Sequence, residues 1–142
     1  ANGYVTSQLQ MSASVAAIRA RVEDSGTAAY EDHQAINVPK FRGSLSADYA
    51  LPIQGLALLG GVQYSASKYA NREGSVKVDD YAVFNAGSRY STKIEGYDTV
   101  LRLTVDNLFD KRYWRDAGEY LGDDYLFLGA PRTARVSATV NF

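Results

Sequence analysis

From Gln8 onward the chain alternates. Leu9, Met11, Ala13, Val15 and Ala17 fall on one side of an extended segment, and Gln10, Ser12 and Ser14 on the other. A period of two is the mark of a β-strand with unlike faces. The same pattern returns in Phe41, Gly43, Leu45, Ala47, Tyr49 and Leu51 against Arg42, Ser44, Ser46 and Asp48. It returns in Leu56, Leu58, Gly60, Val62 and Tyr64 against Gln63, Ser65 and Ser67. Ala82, Phe84, Ala86, Ser88 and Tyr90 oppose Tyr81, Val83, Asn85, Gly87 and Arg89, and Leu101, Leu103 and Val105 oppose Arg102, Thr104 and Asp106. The last segment sets Ala134, Val136, Ala138, Val140 and Phe142 against Thr133, Arg135, Ser137, Thr139 and Asn141. About six strands are expected, with 97–107 and 133–142 as antiparallel neighbours.

The connections alternate as regularly as the strands. Ser25 through Pro39 is a long polar loop holding His33, whereas Pro52-Ile53-Gln54-Gly55 reads as a tight turn. Ala70 to Asp80 is again long and polar, Ser91 to Gly96 is short, and Leu108 to Pro131 is the longest, rich in Asp, Gly and Tyr. Short turns at one end and long loops at the other characterise outer-membrane barrels. A soluble sandwich or lipocalin-like barrel also alternates, and alternation alone does not separate a lumen from bulk water. The loop asymmetry favours the membrane reading.

Composition then narrows the classes. Of 142 residues 46% are hydrophobic, yet apolar runs are as short as Leu56 to Leu59. A transmembrane helix, which needs about 20 apolar residues, is excluded. A transmembrane β-strand needs only about 9–11 residues with every second one apolar, so a mean hydropathy of -0.26 is compatible with it. The 11 Tyr, 5 Phe and 1 Trp suit two interfacial belts. Zero cysteines exclude a disulfide scaffold and thiolate metal sites. A net charge of -1 removes the basic footprint of a nucleic-acid binder. Ala1-Asn2-Gly3-Tyr4 lacks the charged-then-apolar order of a signal peptide, so for an exported protein the signal is expected to lie upstream or to have been removed.

Catalytic chemistry has little to build on. His33 is the sole histidine, and no Gly-x-Ser-x-Gly elbow, P-loop or GxGxxG occurs. Asp79-Asp80 and Asp123-Asp124 lack EF-hand spacing. No catalytic residue, metal ligand or cofactor is assigned, and the expectation is a protein that is not an enzyme. An outer-membrane lipase-like barrel is weakened by the single histidine.

Val105-Asp106-Asn107-Leu108-Phe109-Asp110-Lys111-Arg112-Tyr113-Trp114 resembles the penultimate strand and following loop of TonB-dependent outer-membrane siderophore receptors. Gly129-Ala130-Pro131-Arg132 is similar to the Gly-x-Pro-Arg opening that family's final strand, and Phe142 to its terminal aromatic. Asn37-Val38-Pro39-Lys40-Phe41 and Gly61-Val62-Gln63-Tyr64 agree more loosely. The residues also have a plain physical reading. Asn107 and Asp110 can close an Asx-type turn, Phe109 and Tyr113 can sit at the outer interface, and Gly129 permits a bend before Pro131.

The resemblance implies an all-β fold: an antiparallel transmembrane β-barrel segment, the C-terminal portion of a plugged barrel of about 22 strands. Six strands cannot close a barrel whose smallest form has about eight, and an open sheet in lipid leaves unpaired edges. Residues 1–142 are therefore expected to form one unit with no internal domain boundary, the plug and earlier strands lying outside this sequence.

The function implied is binding and import of a ferric siderophore or similar iron chelate at the bacterial outer membrane. The partners implied are outer-membrane lipid, the ferric siderophore, TonB through an N-terminal region, and the barrel-assembly machinery through the C-terminal strand. The alternative is a non-transport β-barrel or a soluble β-sandwich acting as a binding or structural module. Tyr113, Trp114, Arg115, Tyr120 and Tyr125 are the candidate ligand contacts, since aromatics and Arg stack on and pair with a bulky anionic chelate. An interfacial belt role competes for Tyr113 and Trp114. Arg102 and Arg135 are expected to face the lumen.

Overall fold

The computed structural model describes residues 1–121 and 123–142. Its strands are β1 (Asn2–Tyr4), β2 (Leu9–Ala17), β3 (Phe41–Ala50), β4 (Leu56–Ser65), β5 (Lys68–Tyr69) and β6 (Lys77–Val78). There follow β7 (Tyr81–Ile94), β8 (Tyr97–Asp106), β9 (Trp114–Tyr120), β10 (Asp123–Leu128) and β11 (Thr133–Asn141). One seven-stranded sheet runs β1-β2-β3-β4-β7-β8-β11, each pair antiparallel. This is an open meander with β1 and β11 at its edges. The six expected strands are all present, and β1 is added to them. Strands β8 and β11 pair from Thr133 opposite Asp106 to Asn141 opposite Asp98.

The register puts every alternating apolar set on one face, because directly opposed residues in an antiparallel ladder point the same way. One row crosses six strands as Leu9, Tyr49, Leu58, Ser88, Leu103 and Val136. The neighbouring row, on the other face, holds Gln10, Asp48, Leu59, Gly87, Thr104 and Arg135. Leu101, Leu103, Val136, Ala138 and Val140 thus share the apolar face. A slip of one residue at any strand would invert it.

That apolar face is bare. Val136 is 80% exposed, Val15 70% and Leu103 47%. The buried apolar residues are few and small: Ala57 and Val83 on the polar face, with Ala70, Val78 and Ala117 clustered in the long connections. A soluble sandwich would cover the apolar face with a second sheet. The further sheets among the described residues are two-stranded ribbons inside the long connections, β5–β6 and β9–β10, so the sandwich alternative does not hold. Aromatic rings mark both rims of this face. Phe41 and Tyr64, 6.1 Å apart, and Phe84 and Phe109, 5.4 Å apart, stand at the loop end; Tyr97 and Phe142, 5.6 Å apart, stand at the turn end with Tyr49 and Tyr90. Phe41 and Tyr49 lie on one strand, ~27 Å apart at ~3.4 Å per residue, which suits a tilted strand crossing an apolar band of ~25 Å.

All short connections (5–8, 51–55 and 95–96) lie at one end, and all long ones (18–40, 66–80 and 107–132) at the other. The turn expected over Ser91 to Gly96 is tighter than its composition suggests: β7 runs on to Ile94, which pairs with Tyr97. Only Glu95 (φ 50°) and Gly96 (φ 89°) turn, the two positive values of a type I′ hairpin. At the neighbouring turn Gly55 has φ 78° and its carbonyl accepts from Ser91 N–H at 2.8 Å; a Cβ there would run into the Ser91 carbonyl. The ribbons β5–β6 and β9–β10 occupy stretches that their polar, glycine-containing composition marks as loop.

Candidate ligand-binding site

Where β8 leaves the sheet, Asn107 is a hub. It is buried, at φ 49°, a conformation Asn tolerates better than most residues. Its N–H donates to Asn85 Oδ1 at 3.0 Å, and its side-chain amide donates to the carbonyls of Lys111 (2.9 Å) and Ala130 (3.0 Å). Its Oδ1 accepts from Lys111 N–H at 2.8 Å. Asp110 (φ 52°) accepts from Arg132 N–H at 2.9 Å. The two motifs, 105–114 and 129–132, are thus halves of one joint that closes the base of the longest loop. Leu108 N–H binds the Phe84 carbonyl at 2.7 Å, which seats Phe109 beside Phe84 at the rim. Lys111, Arg112 and Arg132 stay exposed, and Pro131 precedes β11.

Tyr113 is half-buried, its ring 4.2 Å from that of Tyr81 and seated over Gly129. Gly129 N–H donates to the Tyr113 carbonyl at 2.8 Å. Burial pushes the Tyr113 hydroxyl pKa up. Gly129 is therefore required for room, a reason beyond the expected bend.

Above this joint the three long connections lock together at Lys68. Only 2% exposed, its ammonium donates to Asn37 Oδ1 at 2.6 Å and to the Arg115 carbonyl. Asn37 Oδ1 also accepts from Ala117 N–H at 3.1 Å, and Asn37 Nδ2 donates to Asp116 at 3.4 Å. Burial lowers the Lys68 pKa, opposed by nearby Asp116. The Arg115 guanidinium, 2.6 Å away, holds the Asp116 carboxyl below its ordinary range. A second clasp joins Arg72 to Glu119 (3.7 Å) and to the face of Tyr30 (5.8 Å), with His33 Nδ1 at 3.2 Å from the Arg72 carbonyl.

The candidate contacts are not all brought together. In the β9–β10 ribbon Phe127 opposes Asp116 while Leu128 opposes Trp114, which leaves Arg115 as the bulged residue. Such a bulge re-aims a side chain. Arg115 lines a recess on the polar face with Arg42, Ser44, Gln63, Ser65, Tyr81 and Asp116. Trp114 lines a different recess, with Asp79, Asp80, Tyr113 and Leu128. Tyr120 and Tyr125 are exposed near the ribbon tip and share one of its faces. Sequence patterning does not single out Asn37, Arg42 or Lys68: a lone Arg or Lys beside serines looks like any solvated position.

An open sheet with its apolar side outward, charged pairs on the other side and all long loops at one end is a segment of a membrane β-barrel. Residues 2–108 match the family described as TonB dependent receptor-like, beta-barrel, and the chain belongs to that family of outer-membrane receptors. It is 35% identical over 117 residues to the ferrichrome outer membrane transporter/phage receptor of Escherichia coli (strain K12). It is 24% identical over 123 residues to the ferrichrome receptor FcuA of Yersinia enterocolitica. Those matches cover 80% and 86% of this chain but only 15% and 16% of the relatives. Among solved structures, BauA, the ferric preacinetobactin receptor from Acinetobacter baumannii, superposes with a TM-score of 0.84 at 28% identity, over 99% of this chain and 21% of that one.

Proposed function

We propose that this chain is the C-terminal barrel segment of a TonB-dependent receptor that binds and imports a ferric siderophore or similar iron chelate. The observation that supports it best is the inside-out sheet in the family's frame: an apolar outer face, a polar inner face and a clasped layer of long loops at one end. In this reading the apolar face lies against outer-membrane lipid and the polar face lines a lumen filled by a plug encoded elsewhere in the parent protein. TonB acts through that N-terminal region, and β11 with Phe142 is handled by the barrel-assembly machinery. Arg115, Tyr120 and Tyr125 contact the chelate, while Tyr113 and Trp114 stand nearer the rim. The protein is a transporter and not an enzyme.

The test is iron supply in cells. Deleting the full-length gene should abolish energy-dependent uptake of one labelled ferric chelate under iron limitation, and restoring it should recover uptake. Unchanged uptake of every ferric chelate tried would sink the reading.

A further inference from the structure

On the polar face each strand carboxylate already has a cation: Asp48 with Arg89 (3.0 Å), Asp98 with Lys93 (3.5 Å) and Asp106 with Arg135 (2.6 Å). Arg42, like Arg102 further along the same face, has no carboxylate partner among the described residues. It stands opposite Ser65 at the loop end of β3, in the recess that Arg115 overhangs. Lys68 is close enough for both guanidiniums to oppose its protonation. Three cations thus meet one lining carboxylate, Asp116, already engaged with Arg115 and Asn37. The remaining lining groups include Ser14, Ser44 and Gln63, short hydroxyls and an amide that leave space and offer donors. A positive concavity in a low-dielectric wall concentrates anions. Planar guanidinium forks match carboxylate and phenolate oxygens.

Building on the receptor reading above, we infer that this recess selects a ferric chelate bearing anionic oxygen groups, with Arg42 as its charge-reading residue and Arg115 closing from the loop. A chelate without net charge gains nothing from an unpaired Arg42.

The experiment measures binding to the full-length receptor in outer-membrane preparations, using an anionic ferric tricatecholate, ferric citrate and an uncharged ferric trihydroxamate. At least one anionic probe should bind about tenfold or more tighter than the uncharged one, and Arg42→Gln should remove about tenfold of that affinity. Arg42→Lys should keep part of it, and the uncharged probe should be indifferent to both changes. The two anionic probes separate catecholate from carboxylate chemistry. Tightest binding of the uncharged chelate, or unchanged anionic affinity in Arg42→Gln, overturns the inference while leaving an iron-chelate receptor standing. Loss of barrel heat-modifiability in Arg42→Gln would make Arg42 a partner of the plug, which also overturns it. Failure of all three probes, in wild type as well, points instead to the receptor reading itself.

Discussion

Gly129 packs against the ring of Tyr113, so close that a Cβ at that position would collide with the ring's Cζ. The ring also packs against Tyr81, 4.2 Å away between centroids, which limits how far it can yield. Gly129→Ala should therefore displace Tyr113 and destabilise the folded barrel by about 1–3 kcal/mol, an overpacking cost. Urea unfolding of the full-length protein in detergent or lipid measures it. In a Tyr113→Ala background the same change should cost close to nothing, so a persistent penalty there would point to backbone strain instead.

Asn107 holds the two halves of the joint with its side chain as well as its backbone. Asn107→Ala takes the side-chain partner from the Lys111 and Ala130 carbonyls and from the Lys111 N–H, and keeps a Cβ in the left-handed region. A loss of about 2–4 kcal/mol is expected. Asn107→Gly loses the same bonds but relaxes the backbone, so it should be milder by about 1 kcal/mol. Equal losses would show that the left-handed conformation contributes little.

The joint and the strands differ in how legible they are. In β8 from Arg102 to Asp106, and in β11 from Thr133 to Asn141, a polar residue recurs at every second position, because the two faces meet different surroundings, and the period survives in sequence. The β9–β10 ribbon has no such contrast: Tyr125, Leu126, Phe127 and Leu128 are consecutive, so its strand character is masked. Strand β1 is three residues long, too short to show any period. Asn107 and Gly129 are recognisable as motif members, but their shared role depends on bringing 105–114 against 129–132. Lys68 and Arg42 acquire meaning only from neighbours more than twenty residues away in the chain.

The two faces of the sheet make a direct prediction. Leu103→Lys places an ammonium at mid-strand on the exposed apolar face and should cost about 2–4 kcal/mol in lipid. Thr104→Lys, one residue on, turns to the polar face and should cost clearly less. Parallel unfolding titrations in vesicles decide it, and equal costs would mean that the apolar face does not lie in hydrocarbon.

Lys68 predicts the pH response of the loop layer. Its pKa is lowered from 10.5 by burial, so between the folded value and 10.5 the opened loops bind more protons than the clasped ones. Clasp stability must then rise with pH across that window and be least favoured where Lys68 is fully charged in both states. Ala117 N–H, bonded to Asn37 Oδ1, is the reporter. Its amide-exchange protection relative to a Lys68→Met variant should grow as pH rises toward 10.5. A flat ratio would mean that Lys68 keeps its proton throughout the range.

Trp114 and Arg115 are neighbours in sequence but face different recesses, because the bulge turns Arg115 inward. Their single variants should therefore behave differently in the full-length receptor. Arg115→Ala removes a cation from the polar recess and frees Asp116 there, so affinity of the full-length receptor for the ferric chelate proposed as its ligand should fall by about 1–3 kcal/mol, roughly ten- to a hundredfold. Trp114→Ala removes a ring that is 41% exposed at the other recess and should lower heat stability with little effect on affinity. Cell-surface binding of the labelled chelate, with barrel heat-modifiability measured on the same preparations, resolves the pair. Should Trp114→Ala weaken binding as much as Arg115→Ala in well-assembled barrels, the two recesses act as one site in the closed parent barrel, and the ligand reaches across the ribbon.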